Sequence, residues 1–295
     1  LEARDALALV EAALQEELSA ALNGTSARRE VDLFGPPAQT FMVHARPFLD
    51  GTGAFVVVED QTLERRTETV RRDFVANISH ELKTPIGALG LLAETIRGET
   101  DLQIVDRMAA RMTLEAERVS RTVDDLLELS SIEFGVDRDL VLLDAADVIA
   151  EAVARMAPAA ENARIEMVTR VEDGLLLRGD RPQLVSALFN LIDNAVKYSS
   201  PGAVVRITAA TTVGRIEMAV HDEGVGIPRR DLDRIFERFY RVDRARSRGT
   251  GGTGLGLAIV RHIANNHGGE VTVESTEGVG TTFTIWLPDP NREAR

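Results

Sequence analysis

Two long amphipathic patterns joined by a tight turn constrain this chain more than any other feature. From Leu63 to about Arg97, apolar residues recur at Val70, Phe74, Ile78, Leu82, Leu89 and Ile96, spacings that lay one stripe along a helix. Gly98-Glu99-Thr100-Asp101 breaks the pattern. A second pattern runs from about Leu102 to Ile132 through Met108, Met112, Val119, Val123 and Leu126, with Gly135 as its stop. Two such helices form an antiparallel hairpin. A hairpin cannot bury both stripes alone, so pairing with a second copy into a four-helix bundle is expected. The competing arrangement docks the stripes onto neighbouring domains.

Within the first helix lies Asp73–Ile86, D-F-V-A-N-I-S-H-E-L-K-T-P-I. His80 and Glu81 fall off the apolar stripe, so imidazole and carboxylate face solvent or a partner. Pro85 cannot donate to the Glu81 carbonyl, a defect costing about 3 kcal/mol or more in a helix interior, and would soften the helix one turn after His80. A nucleophilic imidazole beside a carboxylate that can orient it or take its proton is the chemistry of a phosphoacceptor. The plain alternative is a solvated His-Glu pair.

Net charge is −13, which disfavours a nucleic-acid duplex as a direct partner. The absence of cysteine excludes disulfides, thiolate zinc sites and cysteine nucleophiles. No apolar run of about eighteen residues occurs, so nothing here is expected to span a membrane. The chain opens Leu-Glu-Ala-Arg without a starting Met; it reads as a fragment or processed segment, which leaves room for a membrane anchor before it. Among 34 basic residues only Lys83 and Lys197 are lysine, and towards phosphate a compact ammonium is not equivalent to a guanidinium fork.

The flanks divide the rest. Residues 1–62 show a helix to Leu22, then strands at Val31–Phe34, Thr40–Leu49 and Ala54–Val58 separated by turn residues. This order, closed by Glu59-Asp60-Gln61-Thr62, resembles the C-terminal half of a PAS sensor domain; a generic α+β fragment is the alternative, and His44 reads as packing. Residues 63–136 are the hairpin. Residues 137–288 alternate strands (Leu140–Leu143, Ile165–Val171, Leu175–Leu177, Val204–Ala210, Arg215–Val220, Glu270–Ser275, Thr281–Leu287) with helices (Ala145–Ala157, Arg181–Tyr198, Asp231–Arg238, Leu255–Asn266). They predict an α/β sandwich on a mostly antiparallel sheet. Residues 289–295 read as a disordered polar tail. The fold class is therefore multidomain α+β.

Four clusters in the last domain carry chemistry. Asn190, Asn194 and Lys197 stand at i, i+4 and i+7 on an otherwise apolar helix; amide oxygens suit a cation, while amide nitrogens and the ammonium suit phosphate. Asp222-Glu223-Gly224-Val225-Gly226-Ile227 ends a strand, where a carboxylate can accept from a base amino group and glycines let the chain pass a ring closely. Arg234–Arg241, including Phe239, reads as two helical turns of aromatics and guanidiniums. Gly252-Thr253-Gly254-Leu255-Gly256-Leu257 opens a helix whose N–H groups can cradle phosphate. Val242–Gly251 is polar and glycine-rich, as a mobile lid would be.

In this order the clusters resemble the N, G1, F and G2 boxes of the Bergerat-fold ATP-binding domain of sensor histidine kinases, and Asp73–Ile86 resembles their phosphoacceptor box. The resemblance implies ATP and Mg²⁺ as cofactors. By it His80 is the phosphorylated residue, Glu81 its general base, and Thr84 a water-positioning group in dephosphorylation. Asn190 binds Mg²⁺, Asn194 and Lys197 bind phosphates, Tyr198 packs by the nucleotide, Asp222 accepts from the adenine amino group, and Arg241 reaches the γ-phosphate. Gly252 to Leu257 close on the phosphate chain, with Gly224, Gly226, Ile227 and Phe239 lining the same site. The implied partners are a response-regulator receiver domain and a second copy, and the implied location is the cytoplasmic portion of a bacterial inner-membrane sensor. The wording is most similar to actinobacterial phosphate-responsive, PhoR-like sensors. A Bergerat-fold ATPase or a nucleotide-gated scaffold is the alternative, but an ATPase of that type carries a glutamate where Asn190 stands, and an amide is a poor general base. Gly252-x-Gly254-x-Gly256 does not have the dinucleotide-binding spacing.

Overall fold

The computed structural model describes residues 3–33, 38–48, 52–134, 140–242 and 252–290. It divides into two compact units, Leu1–His80 and Glu81–Arg295.

In the first unit, α1 (Ala3–Leu22) lies on a three-stranded antiparallel sheet of order β1 (Ala27–Leu33), β2 (Gln39–Pro47), β3 (Ala54–Asp60). Ala13 and Ala21 of the helix and Met42, Val43 and Ala45 of the central strand are its buried apolar residues. The residues that close the sheet also start the next helix. Thr62 donates its N–H to Asp60 Oδ1 at 2.9 Å, Thr62 Oγ1 accepts from Thr40 N–H at 3.0 Å, and Gln61 N–H donates to the Thr40 carbonyl at 2.9 Å. His44 sits on β2 with Nε2 3.9 Å from the Glu59 carboxylate.

Helix α2 spans Thr62–Gly98 and continues through Pro85, a buried residue. Helix α3 spans Leu102–Phe134. The turn between them is built on carboxylates: Glu99 accepts from the N–H groups of Thr100 and Asp101 at 2.8 and 2.9 Å, and Asp101 from Gln103 N–H at 2.8 Å. Those bonds hold the Glu99 carboxyl below its ordinary range. Glu81 faces Arg118 across the hairpin at 4.0 Å. Gly135, the expected stop, lies outside the described residues.

The rest of the second unit is a two-layer sandwich. Strands β5 (Glu166–Val171), β7 (Val204–Thr212), β8 (Arg215–Asp222), β10 (Gly280–Pro288) and β9 (Glu270–Thr276) form one sheet in that order, antiparallel except for the β5–β7 pair. Helices α4 (Ala145–Ala163), α5 (Arg181–Tyr198) and α6 (Gly256–Asn266) pack across it. Their fully buried side chains, Leu184, Leu188, Leu191 and Ile192 among them, meet Ile207, Ile216, Met218 and Ile285 of the strands. The expected strands β4 (Val141–Asp144) and β6 (Leu176–Gly179) pair with each other in a separate two-stranded sheet, a pairing the sequence did not indicate. Among the described residues no helix is long and apolar enough to cross a membrane.

Two expected helices are corrected. Helix α4 does not end at Ala157 but runs past Pro158 to Ala163. Pro158 and the preceding turn at Ala154 are exposed, so water can serve the carbonyl that the proline leaves without a donor, and buried Met156 and Ala160 anchor both sides. Asp231–Arg238 is not a helix: a single 3₁₀ turn, Arg229–Asp231, leads into a series of turns. Ile235, Phe236 and Phe239 are all buried there, and Phe239 adopts a φ of 62°, which a right-handed helix excludes.

His267 closes the C-terminus of α6 and joins that helix to α5 as a neutral ring. Its Nε2 accepts from Asp180 N–H at 3.0 Å, which places the proton on Nδ1 for the bond to the Ile263 carbonyl at 2.7 Å. Burial pushes its pKa down. Asp180 in turn caps α5 by accepting from Gln183 N–H at 3.1 Å. The end of α6 thereby fixes the start of the helix that carries Asn190.

Candidate nucleotide and phosphoacceptor sites

Helix α5 presents Asn190, Asn194 and Lys197 half-buried along one line, because its remaining faces are spent on the core. The Asn190 amide is oriented from within its own helix. Its Nδ2 donates to the Ser186 carbonyl at 3.1 Å and approaches Ser186 Oγ at 3.4 Å. The other end of the amide faces the glycine loop: a Cβ on Gly256 would stand 2.6 Å from Asn190 Oδ1. An amide oxygen is a donor of the kind a hard cation such as Mg²⁺ takes. Lys197 pairs with Asp193 one turn earlier.

At the end of β8, Asp222 is only 5% exposed and accepts from Gly224 N–H at 2.8 Å. Burial pushes its carboxyl up, while the backbone bonds from Gly224 and Thr281 pull it down. Tyr198 reaches this loop through its backbone, with its carbonyl accepting from Val225 N–H at 3.3 Å. Gly224 has no room for a side chain, since a Cβ would fall 2.5 Å from the Tyr198 carbonyl oxygen and 2.7 Å from Asp222 Oδ1. Gly226 is held at φ +68°, where a Cβ would lie 2.2 Å from the Thr276 carbonyl oxygen. The next residue, Ile227, donates its N–H to Ser275 Oγ at 2.8 Å.

The third and fourth clusters are joined by backbone. Phe239 N–H donates to the Gly254 carbonyl at 2.8 Å, and Gly254, at φ +75°, would place a Cβ 2.9 Å from the Phe239 main chain. Tyr240 donates its hydroxyl to the buried Asp231 at 2.7 Å, under the Arg234 guanidinium. Arg241 follows, half-buried. Leu255 is fully buried at the start of α6, with Gly256 and Leu257 half-buried after it. Thr253 uses its hydroxyl twice, accepting from Leu255 N–H at 3.2 Å and donating to Asp125 of α3 at 2.5 Å. Around Gly252 there is open space. Residues 243–251 of the expected lid lie outside the described residues.

On α2, His80 and Thr84 are exposed and Glu81 is half-buried. Among the described residues no three His, Asp or Glu side chains group as a metal cluster. The structure thus brings Asn190 to Gly256, Tyr198 to Asp222 and Gly224, and Phe239 to Gly254. Sequence reasoning missed the residues that hold these groups: Ser186, Asp193, Ser275 and Asp125. Ser186 and Asp193 could have been found one turn before Asn190 and Lys197; nothing local marks the other two.

Residues 70–135 match the His Kinase A (phospho-acceptor) domain, and residues 179–291 match the family described as histidine kinase-, DNA gyrase B-, and HSP90-like ATPase. The Sensor-like histidine kinase SenX3 of Mycolicibacterium smegmatis is 46% identical over 239 residues, 80% of this chain and 62% of that protein. The chain therefore spans about three fifths of that relative's length. Among solved structures, the Acinetobacter baumannii histidine kinase AdeS superposes with a TM-score of 0.57 at 26% identity, covering 72% of this chain and 98% of AdeS. Histidine kinase ThkA, in complex with response regulator protein TrrA, shares the fold with a TM-score of 0.63 at 19% identity over 96% of this chain and 84% of that one. With both domains in sequence order and a sensor-like histidine kinase aligned across four fifths of this chain, the chain belongs to the sensor histidine kinases.

Proposed function

We propose that the 137–288 domain binds Mg-ATP, that His80 is autophosphorylated from it, and that the phosphoryl group then passes to an aspartate of a response-regulator receiver domain. The observation that carries this reading is the closure of the glycine clusters onto α5 and β8. Gly224 closes on Tyr198 and Asp222, and Gly256 on Asn190, at distances only a glycine allows; this supports reading Asn190, Asp222 and the loop from Gly252 to Leu257 as one site. In that site Asp222 accepts from the adenine amino group, beside Tyr198, Gly224, Gly226, Ile227 and Phe239. Asn194, Lys197, Arg241 and the N-terminus of α6 take the phosphates. Asn190 would hold Mg²⁺, which when bound neutralises charge on the phosphate oxygens.

In the transfer step a ring nitrogen of His80 attacks the γ-phosphorus. The bond to the β,γ-bridging oxygen breaks, ADP leaves with that electron pair, and Glu81 takes the imidazole proton. Thr84 positions water when the regulator's acyl phosphate is hydrolysed, so the chain also acts as a phosphatase. Exposed Ile86, Leu91, Leu114 and Leu127 leave apolar surface on both helices of the hairpin, which supports a homodimer in which a second hairpin covers part of it.

Incubation with γ-labelled ATP tests the reading. Label on the protein that is acid-labile and base-stable is expected. Release of free phosphate alone would make the chain an ATPase, and neither product would leave a nucleotide-gated scaffold.

A further inference from the structure

We propose that Asp125, on the hairpin helix α3 and outside every motif named above, is a positioning residue of the phosphate loop: it holds the loop in a nucleotide-free form and competes with nucleotide phosphate for it. The inference rests on reading Gly252–Leu257 as that loop.

A threonine hydroxyl has one proton to give. Thr253 gives it to Asp125 Oδ2 at 2.5 Å, and with its own oxygen takes Leu255 N–H at 3.2 Å. Leu255 opens α6, whose first N–H groups have no partner within the helix and are the donors a phosphate would use. Two donors of the loop are therefore occupied from inside the molecule, one of them by an anion. Asp125 is half-buried and lies within electrostatic reach of Lys197, which attracts it, and of Asp193 and Glu128, which repel it. A carboxylate thus sits beside the same hydroxyl and the same ammonium that would receive phosphate.

The contact is one end of a longer seam between α3 and α6. At the other end Asn266 Nδ2 donates to the Ile132 carbonyl at 3.2 Å, and Leu129 and Ile132 of α3 are buried. Phosphate arriving at Thr253 would bring like charge next to Asp125 in a partly desolvated place, where repulsion is strong. One anion must leave. Nucleotide loading therefore weakens this end of the seam, and by linkage the seam weakens nucleotide binding by the same factor. Asp125 thereby sets how much of the loop population is open to ATP.

Titration of the full chain with Mg-ATP by calorimetry, together with hydrogen exchange of residues 120–132, tests the proposal. Asp125→Ala should tighten ATP about tenfold, with an unchanged or lower melting temperature in the absence of nucleotide. Asp125→Asn keeps an acceptor without the charge and should tighten it less. Adding ATP to the wild type should speed exchange in 120–132, and Asp125→Ala should exchange fast there from the start. A purely structural role would lower the melting temperature and leave the affinity alone. Unchanged or weaker ATP binding by folded Asp125→Ala, or by Asp125→Asn if the alanine variant fails to fold, overturns the proposal while leaving the nucleotide site intact. A wild-type chain that does not bind ATP overturns both.

Discussion

The proposed nucleotide site and the proposed phosphoacceptor site are built in opposite ways. Around the nucleotide site the main chain packs so closely that glycines are required, and Asp222 is buried and already bonded to the loop it belongs to. Around His80 the helix is open, with imidazole and Thr84 exposed. A substitution in the first region is therefore felt by the fold as well as by the ligand. In the second, the side chains are exposed, and changing one should cost folding less. This contrast separates what should lose stability from what should lose only chemistry.

The largest effect expected inside the nucleotide site is on stability. Gly226→Ala adds a methyl 2.2 Å from the Thr276 carbonyl oxygen at a φ of +68°, and should lower unfolding free energy by about 2–4 kcal/mol. Chemical denaturation measures it. A loss below about 0.5 kcal/mol would mean that the β8 loop is looser than described.

Next comes base choice. Guanine presents a carbonyl where adenine has its amino group, so Asp222 would face it with an unpaired acceptor, at a cost of about 1–3 kcal/mol. ATP should then bind at least about tenfold more tightly than GTP. Asp222→Ala should collapse that preference, whereas Gly254→Ala should weaken both nucleotides alike. Retention of the full ATP preference by Asp222→Ala would remove the carboxylate as base reader.

The exposed region gives the complementary prediction. Thr84→Ala should leave the unfolding free energy within about 0.5 kcal/mol of wild type and preserve autophosphorylation, while slowing removal of phosphate from the regulator. Unchanged dephosphorylation would end the role assigned to Thr84.

The smallest effect is one of pH. Because burial lowers the pKa of His267 in the fold, the neutral ring is favoured there. Its contribution is fully present above the unfolded value of about 6.5 and is lost as pH falls below it, when the ring must charge. Stability should fall from pH 7 to pH 5 more steeply in the wild type than in His267→Gln. Parallel curves would show that His267 does not titrate in this way.

What could be read from the sequence followed what was local. The line Asn190, Asn194, Lys197 and the glycine spacings were legible because helix period and turn chemistry fix them within a few residues. The Asp231–Arg238 segment misled because its composition suits a helix, whereas the chain there runs as turns that bury Ile235 and Phe236 and end at Phe239, which is tied by its backbone to Gly254 far along the chain. Pro158 misled for the opposite reason: a local breaker is tolerated where its turn is exposed. Ser275 and Asp125 were invisible, since each acts across a long stretch of chain on a group that already looked complete.

The central claim is that phosphate from ATP arrives on His80, and mapping the phosphorylated residue in the intact chain tests it most directly. After incubation with Mg-ATP, mass spectrometry under neutral conditions should find phosphate on His80. His80→Gln should carry none, yet bind ATP with unchanged affinity. Phosphate on another residue, or a folded His80→Gln that still takes up label, would contradict the account.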